Sequence, residues 1–206
     1  MRKLLFFIIL LFGGAMTMAS AQDMRTIFLN APDKIFPLLT GNDRADLVDF
    51  IEADMKAKVS NRLDGTSELH ELGRDYLMLA TTASSTMQMK LLPVKDDTII
   101  CVVKTVKAEA ADSRIFFYDK EWNALDGSAM FVYPSINDFF ASAADAAAWS
   151  DACDIYLVSL ALSAGDNTLV AEYTMPAYMN VDDAAKVKPL LRKLVYRWSG
   201  GRFVID

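Results

Sequence analysis

His70-Glu71-Leu72-Gly73-Arg74 matches the zinc-protease pattern H-E-x-x-H at every position but the last. A catalytic zinc needs three protein ligands and an open position. In the helical motif the second histidine lies one turn on from the first; here that place holds the cation Arg74, and His70 is the one histidine of the chain. The same count limits nucleophilic catalysis. A Ser-His-Asp or Cys-His hydrolase would have only His70 as its base, and no G-x-S-x-G elbow offers a serine. Ser84-Ser85-Thr86-Met87 lacks the lysine of S-x-x-K, and the chain has neither a Walker loop nor G-x-G-x-x-G to cradle phosphate.

Asp119, Glu121 and Asn123 stand at alternate positions, as at the start of a calcium loop, but the sixth position is Ala124 instead of glycine and the twelfth is Met130 instead of glutamate. This stretch reads as a polar hairpin turn. Met87 and Met89 could hold a soft metal, yet at strand spacing they read as inward packing. With 27 acidic residues, sequence alone picks no carboxylate pair for glycoside hydrolysis. The residues therefore predict no catalytic residue, no metal and no cofactor. The candidate binding residues are Tyr196 and Trp198, which alternate with Arg197 beside Gly200-Gly201. They could form an exposed aromatic platform for a partner or a sugar ring. The competing reading places both rings in the core, in a hairpin that completes the main sheet.

The elements that must position these residues can be read from periodicity. Asn42 starts a helix on which Leu47, Val48, Ile51, Met55 and Val59 recur at helical spacing, with Asp54 and Lys58 as an i,i+4 pair. "TSELHEL" reads as a short surface helix with Leu69 and Leu72 inward, ending at Gly73. Beyond it the period shifts to two: "YLMLAT", "STMQMKLL", "TIICVVKTV" and "RIFFY" are strands of an antiparallel meander. The third of these is apolar on both faces, which predicts an inner strand covered above and below. Ser135 and Asp138 predict a cap before an alanine-rich mid-chain helix. Strands resume in "DIYLVSLAL" and "TLVAEYTM"; Asp182-Asp183 start a short helix that Pro189 kinks or restarts, and "KLVYRWSGGRFVID" is a hairpin on Gly200-Gly201.

The expected fold is α+β: an antiparallel sheet of about seven to nine strands in a meander and hairpin arrangement, with an N-terminal helical segment and a mid-chain helix. The strand patterns of residues roughly 76–127 and 153–206 echo one another. An ancient duplication would produce this echo, and so would any antiparallel sheet built from hairpins. No Pro-, Gly- or Ser-rich linker divides residues 22–206, so a single domain is the expectation.

Residues 1–21 read as a signal peptide: Arg2-Lys3, an apolar run from Leu4 to Phe12, and Ala19-Ser20-Ala21 before Gln22. Cleavage after Ala21 would leave no membrane span and place the protein in the periplasm or outside the cell. The formal charge of the whole chain is −6; losing Arg2 and Lys3 leaves 19 cations against 27 anions, or 19 − 27 = −8. That acidity argues against nucleic acid as a partner. Cys101 and Cys153 could pair in an oxidising compartment, or remain buried thiols.

From Met24 to Leu69, and again through "STMQMKLLP", "DSRIFFYDKEW" and "YRWSGGRF", the chain resembles an uncharacterised family of secreted proteins of gut anaerobes, catalogued as a domain of unknown function. The resemblance implies a Gram-negative envelope location and carries no catalytic residues over. The leading functional expectation is an exported, non-enzymatic binding module that engages an envelope protein or glycan component. The alternatives are a carboxylate-dependent hydrolase of glycans or peptides and a carrier of a small apolar ligand. Opposed acids in a cleft would favour the hydrolase, and an apolar cavity under the sheet would favour the carrier.

Overall fold

A computed structural model describes residues 23–95 and 97–206. The expected signal peptide and the new N-terminus at Gln22 lie outside the described residues. Two short helices come first, α1 (Met24–Leu29) and α2 (Gly41–Glu52), followed by β1 (Lys58–Ser60), β2 (Thr66–Leu72), β3 (Tyr76–Thr82), β4 (Ser85–Val94), β5 (Asp97–Lys107) and β6 (Ala111–Tyr118). After a stretch of turns and single 3-10 turns come α3 (Ala143–Trp149), β7 (Val158–Leu162), β8 (Thr168–Tyr173), α4 (Val181–Val187), β9 (Leu194–Ser199) and β10 (Arg202–Ile205).

The class is α+β and every strand pair is antiparallel, but the strands form two sheets instead of one. β1 to β6 make a six-stranded meander, and β10-β9-β8-β7 make a four-stranded one. The C-terminal hairpin completes the smaller sheet, correcting the expectation that it joins the main one. The break falls between β6 and β7 for a hydrogen-bonding reason. β7 is an edge strand whose outward amides need acceptors. Side chains of the larger sheet supply them: Asp112 Oδ1 accepts from Val158 N at 3.4 Å, Ser113 Oγ from Leu160 N at 3.0 Å and Gln88 Oε1 from Leu162 N at 3.0 Å. The edge is sealed without a continuous backbone ladder.

β5 has the covered inner position that its sequence predicts. Its Ile99, Cys101 and Val103 enter a core shared with the smaller sheet, while Ile100 and Val102 enter a second core against the N-terminal helices. The molecule is thus layered as helices, six-stranded sheet and four-stranded sheet. Cys101 and Cys153 are buried free thiols in the core between the sheets. Burial pushes both thiol pKa values up.

The largest local departure is "TSELHEL", which is strand β2 and not a surface helix. Its register against β3 shifts between Leu69 and Glu71, so His70 is the extra residue of a β-bulge. The bulge turns Leu69 and Leu72 to the same side, opposite Leu79 and Leu77. A spacing of three on one face is what a helix would show, and here the bulge produces it.

Helix α2 is also shorter than its pattern. Its cap is Thr40, whose hydroxyl accepts from Asp43 N at 3.2 Å while Asp43 Oδ2 accepts from Thr40 N at 2.6 Å, a reciprocal box that fixes the start before Asn42. The helix stops at Glu52; Asp54 has φ 54°, Met55 is exposed and Lys58 begins β1, so Asp54 and Lys58 are not a helical pair. In the mid-chain segment, Ser135 and Asp138 cap a 3-10 turn (Ile136–Phe139), and the alanine-rich helix α3 has its own cap in Ser142. Pro189 does restart the chain after α4, as a 3-10 turn (Lys188–Leu190). The final hairpin turns on Gly200 (φ 59°) and Gly201 (φ 86°), a left-handed pair that a two-residue loop requires.

Candidate functional site

The sequence-singled residues separate in the structure. His70 is exposed on a strand, where the residue four positions on does not sit one turn above it, so the geometry of H-E-x-x-H is not formed. Its Nδ1 faces Glu68 Oε1 at 3.7 Å. In the loop that resembles a calcium site, Asp119 Oδ1 accepts from Glu121 N at 3.0 Å and Asn123 N at 2.8 Å, which makes the polar hairpin turn that its residues predict. Trp122 adopts φ 64° in that turn and buries its ring against Tyr118 and Phe36. Met87 and Met89 pack inward with the N-terminal helices. Among the described residues, no group of three or more His, Cys, Asp and Glu side chains stands together to hold a metal ion.

Tyr196 and Trp198 are brought together, but in the core. Trp198 is 8% exposed and donates from Nε1 to Pro93 O at 2.8 Å, tying the two sheets together. Its ring stacks on Phe117 with centroids 6.1 Å apart and meets Phe203 edge-on at 5.0 Å. Tyr196 is 6% exposed, packs edge-on against Phe131, and lines an open depression together with Tyr133 and Ile205. Burial raises its phenol pKa. These rings do not make an exposed platform.

A different surface gathers charge. The tip of the β5–β6 hairpin approaches the smaller sheet, where Thr174 Oγ1 donates to Ala111 O at 2.6 Å. Between this tip and the segment that enters β9 runs an open groove of about 550 Å³. Its charged lining is Lys107, Lys188, Arg192 and Lys193 against Glu109 and Glu172. In a chain of net charge −6 this is a local excess of cations. Lys193 Nζ neutralises Glu172 at 2.7 Å, and Arg192 Nε donates to Asp138 O at 3.0 Å. Among the described residues Lys107 and Lys188 make no ion pair. Both are exposed and free to meet an anion. Glu109 and Glu172 are the two carboxylates of the groove lining, and Glu172 is engaged by Lys193. Tyr173 is the one aromatic residue lining the groove, and its ring is buried, with its hydroxyl donating to Ile155 O at 2.8 Å.

Sequence reasoning missed this groove because its cations come from two stretches about eighty residues apart. The available signal was "KPLLRK", Lys188 to Lys193, a cationic run in an acidic chain.

The comparisons agree with the fold and name no activity. No curated protein matches the chain. It is similar in structure to a solved domain of an uncharacterized protein from Porphyromonas gingivalis W83, with a TM-score of 0.77 and 28% identity over 90% of this chain and 98% of that one. Among the described residues no helix is long and apolar enough to cross a membrane. A family model described as "Protein of unknown function (DUF3256)" matches residues 16–203, and the chain belongs to that family.

Proposed function

We propose that the protein is an exported, non-enzymatic binding module of the cell envelope, and that the groove of Lys107, Lys188, Arg192 and Lys193 takes an acidic segment of an envelope protein. The observation that carries this reading is the concentration of cations, two of them unpaired, on a chain whose overall charge is negative. Complementary charge speeds encounter and rejects wrong partners, which is how a polar, open surface achieves selectivity. The open shape suits an extended chain better than a small molecule, which a closed pocket would bury over most of its surface. A peptide is favoured over a glycan because the groove presents no exposed ring on which a sugar could stack. Export rests on the signal-peptide pattern of residues 1–21.

The test is binding of a fluorescent oligoglutamate peptide to the wild type and to Lys107→Glu/Lys188→Glu. Both positions are exposed, so the fold is expected to survive the reversal. Affinity should fall at least tenfold in the variant, and wild-type binding should weaken steeply with salt. Equal binding by the two proteins rejects the groove as the site. A stronger response to oligogalacturonate than to oligoglutamate would move the reading from protein to glycan.

A further inference from the structure

The second core contains a feature that the acidic-peptide reading does not use. On the helix side of the large sheet, the strip between α1 and α2 stands off from β4 and β5 and leaves a slot of about 220 Å³. Ile35, Phe36, Leu39 and Met87 supply apolar wall, and Val106, largely exposed, also lines it. One charge enters it, that of Lys104 on β5.

The wall is held by its backbone. Arg44, 3% exposed, donates from Nη2 to Ala31 O at 2.7 Å and from Nη1 to Leu39 O at 3.3 Å. Arg62 donates from its backbone N to Leu38 O at 3.1 Å and from Nη1 to Pro37 O at 3.3 Å. These cations fasten the strip at both ends and along its length through carbonyls, so the side chains between are free to frame a space. A slot fixed this way is preorganised, and a ligand does not bear the cost of ordering it.

Lys104 is the unsettled group. Its Nζ reaches Ile35 O only at 3.4 Å, lies 5.7 Å from the centre of the Phe116 ring, and makes no ion pair among the described residues. Half-burial without a counter-charge pushes its ammonium pKa down. A half-buried cation beside an apolar wall lacks an anion, and a ligand that brings one relieves the desolvation.

We propose that this slot binds a short-chain monocarboxylate, its carboxylate on Lys104 and its tail along Ile35, Phe36 and Met87. One ammonium matches one negative charge. At roughly 30 Å³ for each water-sized group the slot holds about seven, which sets the scale of the tail.

Calorimetric titration of the purified protein with hexanoate and with 1-hexanol tests this. The two probes share a tail and differ in charge. The wild type should bind hexanoate at least tenfold more tightly than hexanol, Lys104→Met should erase that preference while still binding hexanol, and Val106→Trp, at an exposed position, should weaken both by crowding the slot. Lys188→Glu should leave hexanoate binding unchanged, which separates this site from the cationic groove. Equal affinity for the two probes in the wild type, binding of neither, or a preference that survives Lys104→Met overturns the proposal. So does a self-associated protein whose dimer Val106→Trp disrupts and hexanoate does not, because the slot would then seat a second copy.

Discussion

On one face of the six-stranded sheet the cover is a second sheet that brings rings to the contact: Trp198 and Phe203 meet Phe117, and the turns between the sheets add Phe131 against Tyr196 and Phe139 against Tyr173. On the other face the cover is two short helices and the strip between them, and the core there is largely Leu, Ile and Met. The first cover is held by side chains filling space, with the β7 amides bonded to Asp112, Ser113 and Gln88 along its edge and Trp198 bonded to Pro93 O. The second is held by arginines grasping carbonyls of the strip, and so it can leave a slot where the first interlocks. The difference separates two tasks. Rings that pack edge-on and stacked at 5.0 to 6.4 Å resist movement collectively. A strip clamped through its backbone keeps its shape without giving up the space beside it.

The aromatic cover is most vulnerable at Trp198. Trp198→Ala removes a ring that contacts both sheets and leaves Pro93 O without its donor. Such truncations cost about 3 to 5 kcal/mol, out of a total of about 5 to 15 kcal/mol for a domain. Urea unfolding should show a large drop in the midpoint. An unchanged midpoint would mean that the aromatic face does not hold the sheets together.

Much of the sheet side was legible because its signals are local. The double-faced apolar run of β5, the alternation in β4 and the Gly200-Gly201 turn each need only a few neighbouring residues to read. What could not be read is how the strands divide into sheets. That division rests on Asp112, Ser113 and Gln88 reaching amides of β7 some 46 to 74 residues away, and no periodicity records it. β2 carries a helical pattern in sequence because a bulge at His70 gives a strand the spacing of a helix. The two candidate sites were invisible for the same reason as the sheet division. Lys107 meets Lys188, and Lys104 meets Ile35, only after the chain has folded.

A smaller effect sharpens the helix side. Arg44→Met keeps an apolar stem but removes the guanidinium that lies over the Phe36 ring and leaves Ala31 O and Leu39 O without their donor. Unpaired buried acceptors cost about 1 to 3 kcal/mol. Beyond the loss of stability, the strip should loosen locally: the amides of Ile35 and Leu39, bonded to Pro32 O and Phe36 O, should exchange hydrogen faster, while those of the β9–β10 hairpin keep their protection. Uniform acceleration across both regions would show that the clamp is not specific to its own face.

The smallest effect concerns where the strip ends and α2 begins. Asp43 Oδ2 accepts from Thr40 N at 2.6 Å and Thr40 Oγ1 at 2.7 Å, and these bonds, backbone first, hold its carboxyl pKa below the ordinary 3.8. A carboxylate with a depressed folded pKa stabilises fully above its unfolded value and loses that contribution as the pH falls through the folded one. Asp43→Asn retains an acceptor but not the charge beside the helix N-terminus, so at pH 7 it should cost towards the lower end of the roughly 0.5 to 2 kcal/mol typical of a cap. The gap between wild type and variant should then close as the pH is lowered below 3.8, because the wild-type carboxyl takes up its proton and becomes neutral like the amide. Urea midpoints for the two proteins at neutral and acid pH measure this directly. A gap that stays constant across the range would assign the cap's contribution to the shape of its hydrogen bonds alone, and the charge at the end of the strip would be without consequence for the helix-side cover.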